Sequence, residues 1–482
     1  METNESLKTA LLQETETTVL KMIEQLQTLS EGALQALEQS VMSACLSMGQ
    51  RWLETVLKHS QQEHRPHARR QGECGHRQRL VGERSKQLLT LMGKVTVHRP
   101  YYQCLQPTGA QETSLCSHGQ APFDKVWGIE AERTSPGVQK LVSYLGASMT
   151  LEEAAAVFQA IFPLKMSARQ VLNLLQPLGE MLICREDKHQ ESVFQEATKK
   201  QTASDPKEKG WQEEIERMYI ELDGVLARMR RGSVPMEVQE QKRPGDVYRE
   251  VKVGAVFTAT RGRSRSHLAS GTFIDAASPI QYVARRSTAE TFGRYLYALA
   301  QRCGIERAQQ VVVLGDGAAW IWRLAAEHFP GAVHIVDLWH AREHVWKVAR
   351  SVFGRGHPQE AAWAKLACDL LSEGDIEALI KIIERLPPIP PEPGTARSVP
   401  EIEADYFRSN AARMRYPTFR AQGMQIGSGV AEAACKTVVS TRAKRAGMRW
   451  TPHGLDAVLA LRTAVLNRTY DDFWKEQSHL IA

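Results

Sequence analysis

The run Val311-Val-Val-Leu-Gly-Asp-Gly-Ala318 decides the fold. Four consecutive aliphatic residues read as a strand covered on both faces. The strand ends on an acid followed at once by glycine, so Asp316 is delivered to the sheet's carboxyl edge, where open α/β sheets carry their chemistry. Two further acids stand in settings that converge with it. Asp223 closes the β-branched and aromatic run Arg217-Met-Tyr-Ile-Glu-Leu-Asp-Gly-Val225. Glu432 lies in Gly427-Ser-Gly-Val-Ala-Glu-Ala-Ala434, at the opening of a helix that turns strongly basic. Each acid also has a plainer reading. Asp-Gly is a turn dipeptide, and Glu432 stands four residues before Lys436, as in a surface helix pair.

Outward from these runs, strand-like segments fall at 217–225, 249–260, 267–275, 311–315 and 332–336, with helical runs near 288–303 and 318–328. Three strands, then helix, strand, helix, strand is the order of an RNase-H-like fold. In that order the first and fourth strands are neighbours, so Asp223 and Asp316 should lie side by side. The expected class is α+β: an RNase-H-like mixed-sheet catalytic domain at 211–340 and 421–468, with an all-helical insertion at 341–420. The proline-rich run Leu386-Pro-Pro-Ile-Pro-Pro-Glu-Pro-Gly394 breaks the insertion, because it is too rigid and donor-poor for a helix or central strand.

The N-terminal part reads as three segments. Residues 1–62 carry Leu20, Ile23, Leu26, Leu34, Leu37, Val41, Leu46 and Leu53 at helical spacing, a packing or dimerisation module. Residues 63–130 form a small Cys/His-containing β module, with a hairpin joined at Gly93-Lys94. Cys74, His76, Cys104, Cys116 and His118 surround that hairpin. Zn²⁺ would draw its ligands from Cys74, Cys104, Cys116 and His118 in a degenerate ribbon, although no C-x₂-C pair is present. Residues 131–200 are helical, and Thr150-Leu-Glu-Glu153 and Ser167-Ala-Arg-Gln170 both fit the capping box. Two helices separated by Phe162-Pro-Leu-Lys-Met166 resemble a helix-turn-helix, with Lys165 and Arg169 as DNA contacts. Any helical hairpin gives the same pattern. The polar run from 197 to 214 reads as a linker.

Composition narrows the partners. The chain has 482 residues, 43% hydrophobic and 24% charged, and a net charge of +6. Between Arg408 and Arg468 stand eleven Lys/Arg against two acids, so that segment carries +9 and the remainder −3. A local basic stretch beside an acidic pocket suggests a polyanion held near bound cations; a solvated helix face is the alternative. Eight cysteines without a small secreted scaffold fit a reducing compartment. No basic signal-peptide region opens the chain, and no run approaches the roughly 18 apolar residues of a membrane span. The expectation is a soluble intracellular protein without membrane partners.

Breaking and rejoining phosphodiesters requires charge neutralisation at phosphate, an activated attacking oxygen and a stabilised leaving oxygen. Two divalent cations about 4 Å apart do all three, and hard oxygen ligands hold them. Three carboxylates on one edge suit Mg²⁺ or Mn²⁺. Asp223, on the central strand, would bridge both ions, and Asp316 and Glu432 would each complete one shell.

The residues in combination resemble DDE-type transposases of bacterial insertion sequences, of the Kra-type family related to the Mutator-like elements. The resemblance rests on Tyr219-Ile-Glu-Leu-Asp-Gly224, Arg249-Glu-Val-Lys-Val-Gly254, Val313-Leu-Gly-Asp-Gly-Ala-Ala-Trp-Ile321, His334-Ile-Val-Asp-Leu-Trp-His340 and Gly427-Ser-Gly-Val-Ala-Glu432. The tail Arg442-Ala-Lys-Arg-Ala-Gly-Met-Arg-Trp450 adds to it. Typical members carry paired C-x₂-C knuckles where this chain has isolated cysteines. The resemblance implies catalytic and metal-binding roles for Asp223, Asp316 and Glu432. It also implies that Asp337 and His340, in a D-x₂-H arrangement, lie near the active site. The partner it implies is double-stranded DNA, at inverted-repeat ends and at the target, with the protein assembling as a homo-oligomer at the bacterial nucleoid. The basic residues Lys436, Arg442, Lys444, Arg445 and Arg449 are expected to hold DNA phosphates. A domesticated non-catalytic DNA-binding protein and a structure-specific nuclease of the same fold are the rival readings.

Overall fold

The computed structural model of the chain describes residues 2–27, 34–63, 69–72, 76–104, 119–129, 133–162, 164–202, 215–230, 232–233, 247–264, 274–276, 278–391 and 394–479. It divides into two compact units, residues 1–175 with 471–482, and residues 176–470. Among the described residues no helix is long and apolar enough to cross a membrane.

The first unit opens with α1 (Glu2–Leu26) and α2 (Leu34–Glu63). A four-stranded antiparallel sheet follows, β1 (Arg69–Gln71), β2 (Arg77–Thr90), β3 (Gly93–Cys104) and β4 (Gly119–Gln120). Alternate residues Leu88, Val95 and Val97 point inward and join Leu57, Phe123 and Ile129 in a core. Next come α3 (Pro122–Val126), α4 (Pro136–Ser148), α5 (Leu151–Ile161) and α6 (Ala168–Thr202). The helix starts are set by their first residues. Thr150 and Glu153 form a reciprocal capping box at 3.0 Å on each side, and Ser167 exchanges bonds with Gln170 in the same manner. Helix α6 begins in this unit and continues into the second.

The second unit is built on a mixed six-stranded sheet of β5 (Ile215–Met229), β6 (Val247–Ser264), β7 (Ile274–Ala276), β8 (Gln281–Arg285), β9 (Ala308–Gly315) and β10 (Val333–Val336). Its order is β10-β9-β5-β6, with β7 and β8 both paired to β6. Strand β5 is antiparallel to β6 but parallel to β9, and β9 is parallel to β10. Of the strand expected at 267–275, the described end is β7 at 274–276, paired to β6, and β8 at 281–285 is a further partner of β6 that the pattern does not mark. Residues 267–273 lie outside the described residues, and the short Gln-Tyr-Val-Ala-Arg run carried too little alternation to announce itself. Between strands run α7 (Ala289–Arg302) and α8 (Ala319–His328). Gly254 of β6 lets Phe292 and Leu296 of α7 close on the backbone, since an added Cβ would lie 2.7 Å from Leu296.

Beyond β10 the chain becomes helical: α9 (Leu338–Phe353), α10 (Pro358–Glu373), α11 (Ile376–Glu384), α12 (Val399–Asn410) and α13 (Tyr416–Ala421). Alanines 349, 364 and 367 are fully buried beside Val345, Leu371, Leu379 and Phe407, so the helices pack through small residues. Then follow α14 (Gly429–Ala434), a π-helical turn (Cys435–Ser440), α15 (Thr441–Ala443), α16 (Pro452–Leu466) and α17 (Tyr470–His479).

Candidate active site

Register brings the first two acids level. Glu221 of β5 pairs with Leu314 of β9 in a parallel ladder, so two residues further on Asp223 stands beside Asp316. Each carboxylate accepts from a nearby backbone amide: Gly224 N, within β5, donates to Asp223 Oδ1 at 2.6 Å, and Ala318 N, in the turn after β9, donates to Asp316 Oδ1 at 2.8 Å. Burial raises the pKa of Asp223, Asp316 adds to it, and the Cys435 thiol and Gly224 amide oppose by donating hydrogen bonds. Burial likewise raises Glu432, with repulsion from Asp337 and Asp223 behind it. The acids therefore feel one another's charge, and His340 offsets part of it at both Asp223 and Glu432.

Asp337 organises the edge between them. It follows β10, is 1% exposed, and caps α9 by accepting from Trp339 N at 2.6 Å and His340 N at 2.9 Å. Its other oxygen accepts from both the amide and the hydroxyl of Ser428, four residues before Glu432. His340, partly exposed, stands 3.8 Å from Glu343 and edge-on to His344.

Asp316 has a second support from the helical insertion. The Tyr406 hydroxyl of α12 donates to the Asp316 carbonyl at 2.9 Å. Gly317 has φ +97°, and a Cβ there would meet the Tyr406 ring at 2.7 Å, so the turn requires glycine twice over. Tyr406 stacks on His344 with ring centroids 3.8 Å apart, and His344 bonds the buried Glu403, which Lys347 also reaches at 2.9 Å.

Two residues that motif reading passed over complete the site. Glu221 is fully buried, and burial pushes its carboxyl up to about 8. It accepts from Gln425 Nε2 at 2.9 Å and from Ala431 N at 2.7 Å. A glutamate inside a run covered on both faces is anomalous, and that anomaly was readable in the sequence. Cys435 donates its thiol to Asp223, and burial raises the thiol's pKa.

The basic residues divide. Lys436, Lys444, Arg445 and Arg449 are exposed. Arg442, expected on the phosphate-facing surface, is instead fully buried, with its guanidinium 5.1 Å from the centre of the Trp450 ring. The π-helical turn and α15 rotate it inward, so its side chain lies in the core and not on the surface. Trp450 closes the loop 444–449: its indole donates to Ala443 O at 2.9 Å, and its backbone bonds Arg228 and Arg230 beside β5. Lys165 and Arg169 are exposed in the first unit. Of the zinc candidates, Cys74, Cys116 and His118 lie outside the described residues; Cys104 is buried and accepts from Gln78 at 3.6 Å.

The donor chemistry of Asp223, Asp316 and Glu432 is all oxygen, the set that Mg²⁺ and Mn²⁺ prefer. Among the described residues no three or more His, Cys, Asp or Glu side chains are drawn together closely enough to cage an ion. Magnesium requires no such cage, since it binds through one or two carboxylates and fills its shell with water and substrate phosphate. Burial, with the acids' repulsion behind it, raises Asp223 and Glu432, and a cation would relieve both.

These features define an α+β protein whose larger unit gathers acids at the carboxyl edge of a mixed sheet. Residues 286–476 match the model of an uncharacterised protein family, UPF0236. No curated protein sequence matches the chain. Among solved structures, the Drosophila P element transposase strand transfer complex is similar over 73% of this chain and 81% of that one. The identity is 11% and the TM-score 0.23, a score at which two chains need share no fold.

Proposed function

We propose that the chain is a DDE-type DNA transposase of RNase-H-like fold that cuts at the ends of its own element and joins them to target DNA. The observation that carries this reading is the register that sets Asp223 level with Asp316 on neighbouring parallel strands, with Glu432 in electrostatic reach. The strand order supports it: β5, β6 and β8 are antiparallel in succession, and on the other side of β5 lie β9, parallel to it, and then β10, parallel to β9. The motifs shared with Kra-type transposases supply the rest.

Asp223, Asp316 and Glu432 would hold two Mg²⁺ or Mn²⁺ ions, which when bound neutralise phosphate charge and activate the attacking oxygen. The chain's own residues set the geometry. Strand register fixes Asp223 against Asp316, Tyr406 supports the Asp316 turn, and Asp337 ties the Glu432 segment to the end of β10. In the first step water attacks a phosphodiester, releasing a 3′-hydroxyl and leaving a 5′-phosphate; in the second that hydroxyl attacks a target phosphodiester, and the new bond forms as the target's own 3′-oxygen leaves as a hydroxyl. Lys444, Arg445 and Arg449 line a loop closed by Trp450, suited to phosphates of either sequence. End recognition falls to the first unit, with Lys165 and Arg169 at the start of α6. The working form on DNA is a homo-oligomer at the bacterial nucleoid.

The test uses the purified chain, Mg²⁺, a plasmid carrying the short inverted repeats that flank its gene, and a separate target plasmid. Excised or nicked ends followed by joined products are expected. Cutting without joining of pre-cut ends identifies a nuclease, and binding without either step identifies a non-catalytic DNA-binding protein; both outcomes overturn the proposal.

A further inference from the structure

Alternate residues on one face of β5 grip the segment 422–435 in sequence. Arg217 donates to Gly423 O at 2.8 Å and to Gln422 O at 3.1 Å. The Tyr219 hydroxyl accepts from Gln425 N at 3.1 Å. Glu221 accepts from Gln425 Nε2 and from Ala431 N. The next residue in the series is Asp223, which receives the Cys435 thiol.

Glu221 stands out within this series. Leucine or valine would serve a doubly covered strand better, because an isolated carboxyl taken from water costs several kcal/mol unless hydrogen bonds compensate. Its partners show what the carboxyl does. Ala431 N is among the first amides of α14, which have no partner inside the helix. Ser428, at the cap position, makes no side-chain cap to α14, and its hydroxyl is turned to Asp337. The missing cap therefore comes from a different strand, and the residue after Ala431 is Glu432.

We infer that Glu221 is a positioning residue: by anchoring the first turn of α14 through the Ala431 amide, it sets where Glu432 stands relative to Asp223. The inference rests on the function proposed above. Glu221 touches neither DNA nor metal in this account, and it acts through Glu432.

Glu221→Met removes both acceptors at similar length, whereas Glu221→Gln keeps a carbonyl for the Ala431 amide. In the full-length protein three readouts are compared. Hydrogen exchange at residues 429–434 should quicken in Glu221→Met while β5 stays protected. Mn²⁺ affinity measured by calorimetry should fall about tenfold, the scale for losing a residue that orients a ligand. Turnover should fall about 100-fold at unchanged KM for DNA, the scale of a misplaced reacting group. Glu221→Gln should restore all three to within about threefold of wild type, which a loss of bulk stability would not explain. Should Glu221→Met fail to fold, Glu221→Asp withdraws the acceptors by one methylene and must shift the same readouts. Wild-type exchange at 429–434, or faster exchange with unchanged Mn²⁺ affinity and turnover, overturns the inference. A wild-type protein that neither binds Mn²⁺ nor cuts DNA overturns the proposed function instead, and the exchange data still judge the anchor.

Discussion

Asp316 and Glu432 are held by two different kinds of support. Behind Asp316 is a stack of rings: Tyr406 lies against the Gly317 turn and His344 lies against Tyr406. Behind Glu432 are two buried carboxyls, Glu221 and Asp337, which reach backbone amides on either side of the start of α14. A ring stack fixes position by volume, and a buried carboxyl fixes it by direction. The difference teaches that the acid at a strand end needs only its turn filled, whereas the acid on a six-residue helix must have the helix itself fastened.

Removing the acids tests whether both supports serve one centre. Asp223→Asn, Asp316→Asn and Glu432→Gln should each lower strand cleavage by about 1,000-fold or more, as loss of several kcal/mol of charge stabilisation requires. DNA affinity should stay within about twofold, because phosphate-binding cations elsewhere are untouched. Gel assays of cleavage and binding check this, and near-wild-type cutting by any one variant detaches that acid from the site.

The carboxyl support breaks more sharply than the ring support. Asp337→Ala leaves four donors without an acceptor and should cost about 3 kcal/mol or more in urea unfolding. Gly317→Ala forces a left-handed residue and crowds Tyr406, and should cost about 1–2 kcal/mol. Adding Tyr406→Ala should return the crowding part of that loss but not the backbone part. A Gly317→Ala protein as stable as wild type would remove the ring stack from the argument.

The basic loop gives a smaller, graded effect. Lys444→Ala, Arg445→Ala and Arg449→Ala together should flatten the slope of log affinity against log salt by nearly 3, at about 0.9 for each phosphate contact. Arg442→Ala should leave that slope alone and lower the melting temperature. Filter binding across a salt series separates the two.

The smallest effect is one of pH. Burial alone would raise Glu403, but hydrogen bonds from His344 and Lys347 outweigh it and hold the carboxyl below its ordinary value. A depressed folded-state pKa means that the unfolded chain binds the proton more readily. The contribution is therefore present above the ordinary carboxylate range and is lost as pH falls through the folded value. Urea unfolding of wild type and Glu403→Gln from pH 7 to 3 should show the gap between them narrowing on acidification.

Much of the sheet was legible because β-branched runs announce buried strands. Val311 to Leu314 and Met218 to Leu222 mark β9 and β5, and the order of elements sets Asp223 beside Asp316. The capped helix starts at Thr150 and Ser167 were legible for the same local reason. What could not be read is what depends on contacts distant in sequence. Tyr406 meets Asp316 across 90 positions, and no local pattern marks it. Arg442 sits in a basic run that looks exposed, and only the course of the chain after Glu432 turns it inward. Strand β8 carries no such mark, because Gln281–Arg285 is short and closely follows Pro279.

The π-helical turn from Cys435 to Ser440 separates Glu432 from Arg442 and the basic loop. Such a turn accommodates one residue more than an α-helical turn would. Its presence sets the rotational phase between the two ends of this segment: if the same residues were wound as plain α-helix, the extra residue would be taken up as rotation. Every side chain beyond would then swing by about 100° relative to Glu432. Arg442 would leave its place against Trp450, and the loop would lose its closure. The length of this stretch is thus an angular setting, and insertions are better borne by the 444–449 loop, whose two ends are pinned independently of what lies between them.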